Sequence, residues 1–221
     1  MSRWIPMAFR ESSYIDFDTG VVRKAPMDLV RELKEPHSFD DRLNLFECRV
    51  DVWHFGPAVE ILKQIERHAP NSGSAWEHAA FALLAIGFAY FEMLGKTLNP
   101  NSRITNTAGH DFDSGFWDVY PEFRADVQDT HGFRDRVRNG LYHLAFTKRG
   151  LLIHNDYEIT RDDFFVDKSG FPPTYYVNPH GMVRKTVAHF PSFSTRLRGS
   201  GPEGEALREQ FVRFLDDYHD P

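Results

Sequence analysis

A chain of 221 residues, 41% hydrophobic and 26% charged, has the composition of a folded domain with enough apolar content to bury a core. Its formal net charge of −6 excludes gripping of nucleic acid by a polycationic surface, so any such contact must be local. Cys48 is the single cysteine, which excludes an intrachain disulfide and a thiolate zinc site and fits a reducing, cytoplasmic setting.

Residues 1–27 scatter Trp4, Phe9, Tyr14 and Phe17 among polar residues, with Asp18-Thr19-Gly20 as a turn signal, and read as an irregular or short-strand arm. No apolar stretch of signal-peptide length stands in MSRWIPMAFR. Met27 to Leu33 reads as a short helix ended before Pro36. From Asp40 to His54 the spacing of Leu43, Leu45, Cys48, Val50 and Val52 fits strand or helix equally. Pro57 opens a helix with Ala58, Ile61, Leu62, Ile65 and Ala69 on one stripe, closed by Pro70. Ser74-Ala-Trp-Glu77 is a capping box for a helix running to Leu94 with Gly95 as its cap. This helix is apolar nearly all round, so it is expected at the centre of the fold, and the apolar run Ala79 to Phe91 is shorter than the ~20 residues a bilayer span needs. No membrane partner is expected.

Asn99 to Ser114 reads as a polar, substrate-facing or mobile loop. Between Asp111 and Asp129 acids prevail, and the adjacent basic helix makes that stretch either a surface that pairs across a dimer or a solvated loop. Pro121 starts a short helix. After Gly150 come β-like pieces, Leu151 to Ile153, Phe164 to Val166, Tyr175 to Val177 and Met182 to Phe190, the last two joined by Asn178-Pro179-His180-Gly181 as a hairpin turn. The loop from Arg198 to Gly204 links to a C-terminal helix with Leu207, Phe211, Phe214 and Leu215 at helical spacing. The resulting organisation is residues 1–55 as an arm with short elements, 56–150 as a helical bundle core, and 151–221 as a β-hairpin appendage with a C-terminal helix. Aromatic residues reach 14%, with 20 Phe, which means either thick aromatic packing or an exposed face used for assembly.

The chemically richest stretch is Phe133 to Gly150. Apolar Phe133, Val137, Leu141 and Leu144 recur at helical spacing, while Arg134, Arg136, Arg138, Asn139 and His143 occupy the other faces. Five residues advance an ideal helix by about 500°, so Arg138 and His143 stand roughly 140° apart, whereas Asn139 precedes His143 by one turn. Gly140 is unexpected inside a helix, where glycine costs about 1 kcal/mol relative to alanine.

The succession Arg138-Asn139-Gly-Leu-Tyr142-His143, on what reads as the last long helix of a bundle, resembles the motif of the HEPN family. Upstream, the apolar helix with Glu92 adds to the likeness, which covers Pro57 to Lys148. The resemblance implies a mainly α, HEPN-like bundle with the small β-hairpin appendage before the C-terminal helix. It also implies a homodimer bringing two Arg/His motifs to one cleft and, in active members, a metal-independent endoribonuclease with no cofactor, in a toxin or antiviral role and with an antitoxin or regulatory protein as a further partner. RNA cleavage without metal needs a proton acceptor, a proton donor and a fixed cation, which histidine and arginine supply. Arg138 would hold the phosphate, His143 would act as general acid/base and Asn139 would orient it. Glu92, Arg134 and Tyr142 would support them; Glu92 either emerges into solvent or pairs with Arg138 or His143. A competing expectation is a non-catalytic module that binds a nucleotide or a protein through Arg138.

Other chemistry is thin. Of the 11 histidines none stands in HExxH, and His110 to Asp113 and His154 to Asp156 read as turn residues with local hydrogen bonds. No GxSxG elbow is present, and Cys48 has no activating neighbour. Lys168, Arg184, Lys185, Arg196 and Arg198, interleaved with Phe and Tyr, suggest either a surface for single-stranded RNA or an ordinary exposed sheet.

Overall fold

The computed structural model describes residues 13–15, 22–24, 38–68, 79–99, 108–125, 127–144, 150–153 and 163–219. The short helix at Met27 to Leu33, the turn at Asp18 to Gly20, the capping box at Ser74 to Glu77 and the loop residues 100–107 lie outside these. Seven helices and two small sheets are found among the described residues. Strands β1 (Ser13–Ile15) and β2 (Val22–Lys24) pair antiparallel.

The ambiguous stretch is helical. Helix α1 (Phe39–Arg49) starts at a capping box: Ser38 Oγ accepts the Asp41 N–H at 3.1 Å, and Asp41 Oδ2 accepts the Ser38 N–H at 3.3 Å. It continues through a π-helical segment, Val50–Phe55, straight into α2 (Gly56–His68). The α2 stripe Ala58, Leu62 and Ile65 is buried with Leu83 and Val183 in a small satellite core.

Helix α3 (Ala79–Leu98) is the central element, buried at Leu83, Leu84, Phe88, Tyr90, Phe91 and Leu94, and packed by α2, α4, α5, α6 and α7. By length and composition alone it would also cross a membrane, and half of its apolar window is buried inside the fold. Gly95 is not its cap. The helix runs on past it because Gly95 is where α4 (Ala108–Val119) crosses: a Cβ there would fall on the Asp111 carbonyl, and one on Gly115 of α4 would fall on the Phe91 carbonyl. Two glycines facing each other's helix let the backbones touch. Residues 108–114, expected in a loop, form the first turns of α4.

After a 3-10 turn (Pro121–Phe123), α5 (Val127–Leu144) carries the Arg/His motif. The three-stranded sheet has the order β3 (Leu151–Ile153), β5 (Thr174–Val177), β4 (Phe164–Asp167), with β3 parallel and β4 antiparallel to β5. Its inner side chains Leu151, Phe164, Tyr175 and Val177 join the main core, where Phe133 of α5 meets Phe164 at 4.2 Å between ring centres. The aromatic surplus is largely internal: Phe88, Phe91, Phe112, Phe116, Tyr120 and Phe133 are all buried in one continuous cluster.

Met182 to Phe190 is not a strand and forms no hairpin with β5. Helix α6 (Pro179–Arg198) begins there instead, because Asn178 is its N-cap, accepting the His180 and Gly181 N–H groups at 3.1 and 3.3 Å, and Pro179 occupies the first turn. The hairpin that does form joins β4 to β5. With α7 (Pro202–His219), two long helices follow α5, so the Arg/His motif is not on the last one.

Candidate functional site

Helix α5 docks on the core through Phe133 and Val137, both fully buried. Thr130 is buried beside them and accepts the Trp117 indole N–H of α4 at 2.9 Å. On the sheet side the Arg136 guanidinium covers the Tyr175 ring at 4.6 Å and donates to the Gly132 carbonyl at 3.1 Å. A side chain at Gly132 would strike the Tyr175 hydroxyl, so this glycine lets the helix lie on β5.

The candidate residues Arg138, Asn139, Tyr142 and His143 all belong to the helical backbone of α5. Their side chains lie outside the described residues. Ideal helical register brings Arg138 one turn after Arg134 and leaves His143 about 140° around the axis from Arg138. Arg134 is committed within the fold: its Nη1 donates to Asp113 Oδ2 of α4 at 2.5 Å and to the Gly109 carbonyl at 2.7 Å. Glu92 is half-buried in the interior of α3 and not at its end.

Two clusters that the sequence did not announce hang from α4. In the first, Asp113, 1% exposed, accepts from Arg134 and stands 3.0 Å from His131 Nε2, both through the same oxygen. Its Oδ1 is buried with no hydrogen-bond partner among the described residues. The His131 side chain is 47% exposed.

In the second, Asp118 receives Arg196 Nη1 at 2.9 Å and Arg196 Nη2, and stands 3.2 Å from His189 Nε2. His189 Nδ1 lies 2.9 Å from the hydroxyl of fully buried Tyr90. With the ring neutral, Tyr90 donates to Nδ1 and Nε2–H donates to Asp118, so both nitrogens are used. Burial pushes the Asp118 carboxyl up, but hydrogen bonds from His189 and Arg196 outweigh it and hold the group at about 2. Burial, reinforced by the Asp118 charge, drives the Tyr90 phenol well above its ordinary value. His54, in the π-helical segment, packs its ring 6.2 Å from Tyr90, and burial lowers its pKa.

The basic residues of α6 are each paired with a carboxylate. Arg184 pairs with Glu66, Lys185 with Glu122 at 3.1 Å, Arg196 with Asp118, and Arg198 with Glu47, so each holds an acid from a different element. The acid-rich stretch from Asp111 is therefore helical and not a loop in its first half. Asp113, Asp118 and Glu122 are counter-ions for helices α5 and α6.

The signal for the first cluster was available: His131 and Arg134 stand three apart on one helix and share a face. Their partner lay in a stretch read as a loop, which hid it. Among the described residues no group of three or more His, Cys, Asp or Glu side chains is arranged to hold a metal ion. Comparison with family models, with curated proteins and with solved structures found no match to this chain.

Proposed function

We propose that this chain is a metal-independent endoribonuclease of the HEPN type that works as a homodimer on RNA. The observation that carries the reading is that Arg138, Asn139 and His143 fall on one unbroken helix, Val127–Leu144, within a mainly helical fold. A rigid helix anchored by Phe133 and Val137 holds such groups at fixed spacing, as positioned catalysis requires.

In this reading the Arg138 guanidinium grips the non-bridging oxygens of the scissile phosphate, and its charge stabilises the phosphorane. The His143 imidazole transfers a proton, and Asn139, one turn before it, fixes the ring. Because roughly 140° of helix separates Arg138 from His143, a second protomer that brings its own motif to the cleft gives each arginine a facing histidine. With a net charge of −6, RNA contact is local, centred on Arg138, and not spread over the surface at large.

Purified protein incubated with single-stranded RNA in EDTA is expected to cleave it. His143→Ala and, separately, Arg138→Ala should each lower the rate at least ~10²-fold with circular dichroism and oligomeric state unchanged. Undiminished cleavage by both variants sinks the proposal.

A further inference from the structure

We propose that His131, oriented by Asp113, is a second proton-transfer group on the Arg138 face of α5 and acts as the general base. This rests on the ribonuclease reading above and deepens it. Metal-free cleavage needs two proton movements: the 2′-OH proton must leave as the 2′-oxygen attacks phosphorus, and a proton must reach the 5′-oxygen as the P–O5′ bond breaks, giving a 2′,3′-cyclic phosphate and a 5′-hydroxyl. The motif supplies one imidazole per chain, set well around the helix from Arg138.

His131 and Arg138 are seven positions apart, about 700°, and so within roughly 20° of the same face. Arg134 lies between them on that face. His131 is half exposed at 47%, and its Nε2 is 3.0 Å from the buried Asp113 carboxylate. Nε2 is the ring nitrogen nearest that carboxylate, so in the tautomer that keeps its proton on Nε2 the basic lone pair of the neutral ring is on Nδ1. A buried carboxylate behind an imidazole fixes its tautomer and stabilises the imidazolium formed when it takes a proton. Asp113 is itself clamped by Arg134 at 2.5 Å, which holds the carboxylate still. Asp113 and Arg134 are positioning residues here. By helical spacing His110 precedes Asp113 by a turn on α4 and Asp135 follows His131 by a turn on α5, both exposed.

The test compares His131→Ala, His131→Gln, Asp113→Asn and His143→Ala with the unaltered protein, on RNA and on the same RNA carrying sulfur in place of the 5′-oxygen at the mapped cleavage site. A thiolate leaves without being protonated, so it rescues loss of an acid and not loss of a base. Both His131 variants are expected to fall ~10²- to 10⁴-fold on ordinary RNA. They should lose the acidic limb of the pH–rate profile, stay slow on the sulfur substrate, and keep the wild-type melting temperature. His143→Ala should recover on the sulfur substrate. Asp113→Asn should fall less and shift the acidic limb. The Gln variant keeps a donor toward Asp113 and so covers a folding failure of the Ala variant.

Wild-type rate and pH profile in the His131 variants, with His143→Ala inactive, overturn this inference and leave the ribonuclease reading standing. Sulfur rescue of His131→Ala overturns the base assignment. If the unaltered protein cleaves neither substrate, the ribonuclease reading fails and takes this inference with it.

Discussion

The two clusters on α4 are made of the same three groups, an aspartate, a histidine and an arginine, and differ in which one meets water. Around Asp118 the arginine is outermost, at 44% exposed, and His189 is inside at 15%, with Tyr90 on its second nitrogen. Around Asp113 the order is reversed: Arg134 is 22% exposed and His131 is 47%. An imidazole bonded at both nitrogens is a fastener between α3, α4 and α6. An imidazole that meets the carboxylate through one nitrogen and is half exposed to water is the one we propose transfers a proton. The chemistry of the pair therefore depends on the order of the layers and not on composition.

Both aspartates ride on α4, so the sharpest way to break the comparison is to dislodge that helix. Alanine at Gly115 would drive a methyl group into the Phe91 carbonyl and to 2.9 Å from the Gly95 amide, where there is backbone and no side chain to yield. Overpacking against backbone should cost roughly 3 kcal/mol and about 10 °C in melting temperature for a chain of this size. Differential scanning calorimetry of Gly115→Ala checks this. A melting temperature within a degree or two of the parent would show that α3 and α4 do not touch as described.

Much of the helical framework was legible because amphipathic stripes are local: the α2 and α7 residues could be read directly from their spacing. Three features were not, for different reasons. Asn178-Pro179 satisfies the rules for a turn and for a helix start alike, and what decides between them is the burial of Met182, Val183, Thr186, Phe190 and Phe193 against α3 and its neighbours. Pro191 stands inside α6, where a proline ordinarily weakens a helical signal. Gly95 announces only that a side chain is unwanted, and whether for a left-handed cap or a helix crossing depends on α4. The acids from Asp111 onward look alike whether they face water or arginines that follow scores of residues later. The motif Arg138 to His143 was legible as a helix. The Asp113–His131 contact was not, since half of it lay in a presumed loop.

A smaller effect separates the clusters electrostatically. Asp118 is held below its unfolded value of about 3.8, at about 2. A depressed carboxyl contributes stability that is complete above the unfolded pKa and is lost as pH falls from about 4 to about 2, here about 2 kcal/mol. The wild-type curve should begin to decline earlier. His180 is 2% exposed, and burial, with Arg184 nearby, lowers it from 6.5 to about 4. For that group the unfolded chain takes up the proton first, so stability is lost between about pH 6.5 and 4. Urea unfolding across pH 7 to 2 should show both segments in the parent, and in Asp118→Asn the lower one should flatten. If the Asn variant keeps the same slope below pH 4, Asp118 is not held as described.

The least costly comparison removes one hydrogen-bond partner from each imidazole system. Tyr90→Phe takes away only a hydroxyl, yet it leaves His189 Nδ1 without its partner inside the core, and about 1 kcal/mol should be lost. His131→Ala removes a whole ring, but one that is half in water, and Asp113 retains the Arg134 ion pair, so the loss should stay within about 0.5 kcal/mol. The larger excision having the smaller effect is what separates an outer, solvent-facing imidazole from a fastener. Chemical denaturation of the two variants side by side measures it. If His131→Ala costs as much as Tyr90→Phe or more, the outer imidazole is holding the helices together as the inner one does, and its exposure carries no chemical meaning.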